Sequence, residues 1–289
     1  MKLEDIRKVL VVGAGTMGQQ IALQVSLYGF DVCLYDIQKD ILNNARRRIK
    51  DLGQKLIQDR KWTNKQIEQA LDRIKFTTDP EEAAYNADFL SESVPEDPDL
   101  KSKVFAQFNE LCKEETIFTT NTSSLIPSML AHKTGRADRF AALHFHDIRI
   151  TRIVDVMPHP GTSKETLALI VDFAKAIGQD PIVLRKENHG YVFNAMLMEW
   201  LKSALTLAAN GVATIEDIDK AWMGVMNSPI GPFTIMDSIG LDTVWKITDY
   251  WAKKTNDPQA KKNALFLKSY VDQGKLGIKS GEGFYSYNS

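Results

Sequence analysis

Gly13, Gly15 and Gly18 stand on a G-x-G-x-x-G spacing directly after four aliphatic residues, Val9-Leu10-Val11-Val12. The aliphatic run reads as a strand buried on both faces. The residues that follow, Gln19 to Tyr28, have helical periodicity. A strand, glycine turn and helix in this order can hold a diphosphate. The first glycine permits the tight turn, the second lets the backbone approach the pyrophosphate, and the third lets helix and strand pack closely. Free N–H groups and the helix dipole then favour the anion. A second apolar run, Phe30 to Tyr35, ends in Asp36, about twenty residues on, where such folds hydrogen-bond the adenine ribose. An acid there repels a 2′-phosphate, and Ile37 and Gln38 bring no positive charge. The expected cofactor is therefore NAD rather than NADP. Its expected contacts are Gly13, Gly15, Thr16, Met17, Gly18 and Asp36.

A second set of residues could move a proton. Arg139 to His146 is an apolar run ending in His144-Phe145-His146. Strand alternation puts the two histidines on one face and Phe145 on the other. Imidazole titrates near neutral pH, which suits His144 to general acid–base work. The segment Asn121-Thr122-Ser123-Ser124-Leu125 follows the β-branched strand Thr116 to Thr120 and gathers small polar groups at a strand end. Ser123 is the candidate here to bind a substrate oxygen, and either serine could instead cap the next helix. Ile153 to Met157 reads as a further strand with one embedded carboxylate, Asp155.

These residues need a sheet to present them. Asp88 to Val94 reads as the strand that returns beside the first, and the prolines Pro95 and Pro98 mark a loop at its carboxyl end, where open α/β sheets bind ligands. Between Ile37 and Lys75 the chain is helical and basic, with Arg46-Arg47-Arg48 on a long helix. Thr63 and Gln66 form a capping box for a second helix. This hairpin interrupts the usual return to the sheet, as a solvated helix pair or a cationic arm for a phosphorylated ligand. The helix Lys164 to Ile177 and the strand Pro181 to Leu184 close the sheet. Composition changes near Lys186-Glu187-Asn188-His189-Gly190, beyond which the pattern is almost wholly helical. The expected architecture is α/β: a Rossmann-type dinucleotide-binding domain with an inserted helical hairpin over residues 1–186, then an all-α domain over 187–289.

The chain has 289 residues and a net charge of −1, which argues against a general nucleic-acid surface. Its two cysteines, Cys33 and Cys112, indicate neither a disulfide framework nor a thiolate metal site, and no metal ligands are assigned. Met1 to Asp5 is too charged for a signal peptide, and no apolar run reaches membrane-span length. A cytoplasmic protein is expected. The Met-, Trp- and Leu-rich helices of the second domain suggest a face that meets a second subunit, so a homodimer is expected.

Together, Gly13-Ala14-Gly15-Thr16-Met17-Gly18, Pro95-Glu96, Asn121-Thr122-Ser123-Ser124-Leu125, Leu143-His144-Phe145, Gly231-Pro232-Phe233 and Gly281-Glu282-Gly283-Phe284-Tyr285 resemble the 3-hydroxyacyl-CoA dehydrogenase family over nearly the whole chain. The resemblance implies an NAD-dependent oxidoreductase of fatty acid metabolism that interconverts (S)-3-hydroxyacyl-CoA and 3-oxoacyl-CoA. In it His144 is the general base, Ser123 binds the substrate oxygen, and Asn194 contacts substrate or histidine from the helical domain. Glu96 and Lys101 fall at positions near the nicotinamide, with Ser123 beside them. Asp155 is the counterpart of the acid that orients the histidine, and Asp147 is its rival.

Where the family continues from His-Phe to Phe-Asn-Pro, this chain has His146-Asp147-Ile148, and Asn194 is followed by Ala195 rather than Arg. These departures surround the substrate and not the cofactor. They leave open the same chemistry on a free hydroxy acid, a diketo acid or ester, or a carrier-protein-bound acyl group, as in the diketoreductase and gulonate dehydrogenase/lambda-crystallin branches. A non-catalytic NAD-binding protein is the remaining alternative.

Overall fold

The computed structural model describes residues 1–59 and 62–287. The chain forms two compact units, Met1–Val192 and Phe193–Ser289, where the sequence suggested a boundary near 187. The intervening residues include the Gly190–Tyr191 turn, whose buried Tyr191 packs with Ala142 and Met157 of the first unit.

The strands of the first unit are β1 (Lys8–Val12), β2 (Asp31–Tyr35), β3 (Ile74–Thr77), β4 (Phe89–Glu92), β5 (Ile117–Thr120), β6 (Phe140–Phe145), β7 (Ile153–Pro158) and β8 (Asp180–Val183). They form one sheet in the order β3-β2-β1-β4-β5-β6-β7-β8. All neighbours are parallel except β6 and β7, which run antiparallel. The helices are α1 (Thr16–Leu27), α2 (Lys39–Gln58), α3 (Asn64–Asp72), α4 (Pro80–Ala84), α5 (Pro98–Leu111), α6 (Ser128–Ala131) and α7 (Lys164–Ala176).

The sheet is covered on both faces, which is why its inner strands lack polar alternation. Val9 and Val11 join Val32 and Leu34 in one core, beneath α1, α2 and α7. Leu10 and Val12 join Cys33 and Tyr35 in the other, beneath α4 and α5. Cys33 and Cys112 are both buried and unbridged, and burial pushes each thiol up to about 11. The α2–α3 hairpin follows its sequence pattern. Leu42, Ala45, Ile49, Gly53 and Leu56 make one buried stripe on α2, while Arg46, Arg47, Arg48 and Lys50 stay exposed. Thr63 and Gln66 make the reciprocal bonds of a capping box.

The glycine turn leads from β1 into α1. Gly13 has a φ of +100°, and a Cβ there would lie 2.7 Å from the Ser93 carbonyl oxygen. At Gly18 a Cβ would fall 1.8 Å from the Gly13 carbonyl oxygen, so the helix can approach the strand only without a side chain. Strand order reverses between β1 and β4, and the carboxyl ends of these two strands bound the crevice where such sheets take ligands.

The second unit contains α8 (Phe193–Ala209), α9 (Ile215–Met226), α10 (Pro232–Ile239), α11 (Leu241–Thr255) and α12 (Pro258–Val271) around Leu201, Leu205, Phe233, Met236, Leu241 and Leu267. Two buried carboxylates hold its loops. Asp219 accepts the Phe233 and Thr234 N–H groups at 2.9 and 3.1 Å, anchoring the start of α10. Asp237 accepts Phe284 N–H at 2.9 Å, Tyr285 N–H at 3.0 Å and the Tyr287 hydroxyl at 2.9 Å, closing the C-terminal segment onto α10. Among the described residues no helix is long and apolar enough to cross a membrane.

Removing the Asp237 carboxylate strands several donors at once. Asp237→Ala is expected to cost about 3 kcal/mol or more of stability, since each buried donor left unpaired costs about 1–3 kcal/mol. Asp237→Asn, which keeps one carbonyl acceptor, should recover part of that loss. Urea denaturation of the two variants beside the parent chain checks both.

Candidate active site

At the end of β2, Asp36 is held in place by the backbone. One of its oxygens accepts Ala14 N–H at 2.9 Å and the other accepts Gln38 N–H at 3.0 Å. Gly15 caps α1 without a side-chain bond, so first-turn N–H groups remain available to an anion. A Cβ built at Gly15 would meet nothing within 4 Å. Open space, free donors and a fixed carboxylate suit a dinucleotide with its pyrophosphate over Gly15 and a ribose at Asp36. Thr16 is exposed beside this opening, and Met17 packs partly into the core.

The carboxyl end of β4 carries a residue that the sequence reading passed over. Glu92 is fully buried. One oxygen accepts Val94 N–H at 2.7 Å and Lys101 Nζ at 2.7 Å; the other accepts the Thr120 hydroxyl at 2.6 Å. Burial pushes this carboxyl above the ordinary carboxylate range, against the pull of Lys101. Asp97 caps α5 through Asp99 and Leu100 N–H, with Pro98 in the first turn. Lys101 thereby enters the protein interior, where it is 1% exposed. Its ammonium meets Glu92, the Val94 carbonyl at 3.2 Å and Glu96 at 3.3 Å. Lys101 thus supports the loop that carries Glu96 from within the protein.

Glu96 organises the loop after β5. It accepts the hydroxyls of Thr122 and Ser124, the latter at 2.7 Å, together with Ser124 N–H at 3.2 Å. Burial opposes its charge, but bonds from Thr122, Lys101 and Ser124 outweigh that and hold its carboxyl below the usual range. Ser123 lies between those two partners and is exposed. Neither serine caps α6, whose N-cap is Pro127. Asn121 turns back instead, its side-chain oxygen accepting Phe145 N–H at 2.7 Å.

The antiparallel pairing of β6 and β7 sets His144 directly opposite Asp155. His144 Nδ1 lies 3.2 Å from Asp155 Oδ2, and His146 Nε2 lies 3.1 Å from the same oxygen. Burial works against ionisation of Asp155, yet its bonds with His144 and His146 hold the carboxyl below the ordinary range. With Nδ1–H donated to the carboxylate, Nε2 carries the ring's lone pair and can accept a proton. Asp147 faces elsewhere, accepting Arg149 N–H at 3.0 Å and Nε–H at 2.8 Å. Asp155 is therefore the carboxylate that reaches His144.

Tyr191 also was not foreseen. Its ring centroid lies 5.0 Å from that of His144, its backbone is left-handed at φ +56°, and its buried hydroxyl has no partner among the described residues. Burial and the nearby charges of Glu96 and Asp155 push the phenol far above its ordinary range. The left-handed geometry had only Gly190, one residue earlier, as a sequence signal. Asn194 belongs to the second unit, as the second residue of α8.

Comparison with known proteins extends this picture. The family model "3-hydroxyacyl-CoA dehydrogenase, NAD binding domain" matches residues 8–188, and "3-hydroxyacyl-CoA dehydrogenase, C-terminal domain" matches residues 190–287. A probable 3-hydroxybutyryl-CoA dehydrogenase of Deinococcus radiodurans is 36% identical, over 96% of this chain and 99% of its own. The solved structure of a diketoreductase, described as acting on dicarbonyl compounds, is 39% identical with a TM-score of 0.91, covering 98% of this chain and 99% of that one. That of (S)-3-hydroxybutyryl-CoA dehydrogenase from Ralstonia eutropha is 33% identical with a TM-score of 0.88, covering 98% and 100%.

Replacing Lys101 with Met leaves the Glu92 charge buried and unpaired. The expected loss of stability is about 3–5 kcal/mol. Replacing both residues with Met should cost less than the single change, because no lone charge then remains inside. Denaturation of the single and double variants decides it, and additive losses would mean that the pair is not coupled.

Proposed function

The chain belongs to the 3-hydroxyacyl-CoA dehydrogenase family of NAD-dependent oxidoreductases, and on that premise we propose that it interconverts (S)-3-hydroxyacyl-CoA and 3-oxoacyl-CoA. The observation that carries the reading is the His144–Asp155 pair, brought together by strand register in the dinucleotide-binding unit. NAD bound at the glycine turn supplies the hydride acceptor. His144 Nε2 takes the hydroxyl proton as the C–H bond breaks, and in reduction it returns that proton to the carbonyl oxygen. Asp155 fixes the imidazole tautomer and stabilises the imidazolium that forms. The exposed Ser123 hydroxyl binds the reacting oxygen, and Glu96 and Lys101 shape the nicotinamide side.

Two further features support particular parts of the reading. Arg47, Arg48 and Lys50 are exposed on α2 and offer charge to the phosphates of CoA. Met196, Val212, Val225 and Met226 are each exposed on the helical unit, apolar side chains that a second subunit in a homodimer would cover. A second reading keeps the chemistry and changes the substrate to a free 3-oxo or 3,5-dioxo acid. His146 in contact with Asp155 and the likeness to a diketoreductase favour it. NADH oxidation with acetoacetyl-CoA beside free oxo acids separates the two: a preference for the thioester supports the first, and a preference for the free acid overturns it.

His144→Ala is expected to lower kcat by about 10²–10⁴-fold while NADH affinity stays nearly unchanged, as read by turnover assay and fluorescence titration. Full activity would remove His144 from the mechanism. Asp36→Ala should weaken NADH by about ten-fold, the loss of one hydrogen bond to a charged group, and NADPH much less. Equal losses would remove the argument for NAD from this carboxylate.

A further inference from the structure

His144, His146 and Asp155 form a compact donor set. One nitrogen from each ring and one carboxylate oxygen lie within 4.8 Å of one another. The group is largely enclosed: side-chain exposure is 7% for His144, 17% for His146 and 1% for Asp155. The second Asp155 oxygen, Oδ1, is buried without a hydrogen-bond partner among the described residues. We propose that these three side chains form a binding site for a divalent transition-metal ion of the zinc class.

The donor chemistry sets the class of ion. Two imidazoles and a carboxylate suit Zn²⁺, Co²⁺, Ni²⁺ or Cu²⁺ and are a poor match for Mg²⁺ or Ca²⁺, which take oxygen ligands. Geometry agrees for each N–O pair. Ligand atoms about 2.1 Å from an ion at the tetrahedral angle lie about 3.4 Å from each other, within about 0.3 Å of the spacing here. The observed separations are 3.2 and 3.1 Å. The two ring nitrogens must draw closer, and His146 can supply that movement because it stands just beyond the last residue of β6. Three protein ligands leave a fourth position for water.

Binding requires each neutral ring to move its proton to its other nitrogen, with no net proton lost. The His144 proton then sits on Nε2. If His144 is the base proposed above, an imidazole ligated through Nδ1 cannot accept the hydroxyl proton, and the ion inhibits the enzyme. This consequence rests on that reading; the binding itself does not.

The test is isothermal titration of ZnCl2 into the chelator-treated full chain in a non-coordinating buffer, with CoCl2 followed by visible absorption. The expected result is one Zn²⁺ per chain at micromolar concentration, a Co²⁺ spectrum with nitrogen ligation, and no response to MgCl2. His146→Phe and Asp155→Asn should each weaken Zn²⁺ by about ten-fold or more. Thermal melts identify any variant that fails to fold, and His146→Phe alone then suffices. Equal affinity in the parent and in folded His146→Phe, or no binding by the parent, overturns the site. Inhibition of NADH oxidation by Zn²⁺, as a fraction of each protein's own rate, is the second readout. If acyl-CoA turnover is absent altogether, the titration still decides the metal site.

Discussion

A carboxylate with almost no exposure to water must be met by donors from the protein, and at Glu92 that demand organises the carboxyl edge of the sheet at β4 and β5. Its partners come from the following loop at Val94, from α5 at Lys101 and from β5 at Thr120. Lys101 then reaches Glu96, and Glu96 reaches Thr122 and Ser124. The stretch from Glu92 to Lys101 and the distant segment from Thr120 to Ser124 are thus tied into one network. An incomplete network of buried polar groups is costly, and a satisfied one is rigid. The loop that presents Ser123 gains its shape from a residue that need not touch any ligand.

A second constraint is strand direction. The sheet is parallel up to β6, and β7 then runs antiparallel beside it. Directly opposed residues on an antiparallel pair bring their side chains close on one face. That register, and not sequence proximity, selects Asp155 over Asp147. Asp147 is only three residues from His144, yet it belongs to the local turn that includes Arg149. Asp155 reaches Nδ1 because the strands place it opposite the ring.

What was legible in the sequence was local or periodic. The glycine turn, Asp36, the Thr63 capping box and the buried stripe of α2 each rest on contacts within a short segment, or on a pattern with a fixed period. The Glu92–Lys101 pair was not legible. An acid inside Phe89-Leu90-Ser91-Glu92 breaks an apolar strand, but nothing nearby says which cation will meet it. Nothing in the residues around Lys101 signals its burial, which depends on where α5 meets the sheet. Tyr191 was missed for a related reason: its place beside His144 is a tertiary contact, and its left-handed backbone is unusual outside glycine. Capping was open to either serine because their types favour it; Glu96, from another loop, takes Ser124 instead.

The segments that identify the family do two different kinds of physical work. Gly13 to Gly18 and Leu143-His144-Phe145 stand at ligand-facing strand ends, where shape and proton transfer matter. Gly231-Pro232-Phe233 and Gly281 to Tyr285 are bound to Asp219 and Asp237, whose buried charges require those backbone donors. A sequence match in the helical unit therefore reports a way of closing that unit, and it carries little information on which acyl group is bound. His146 lies outside the Glu92 network and the glycine turn, and it bonds to Asp155 instead. The chain thus keeps the glycine turn of its family while departing from it at His146-Asp147-Ile148.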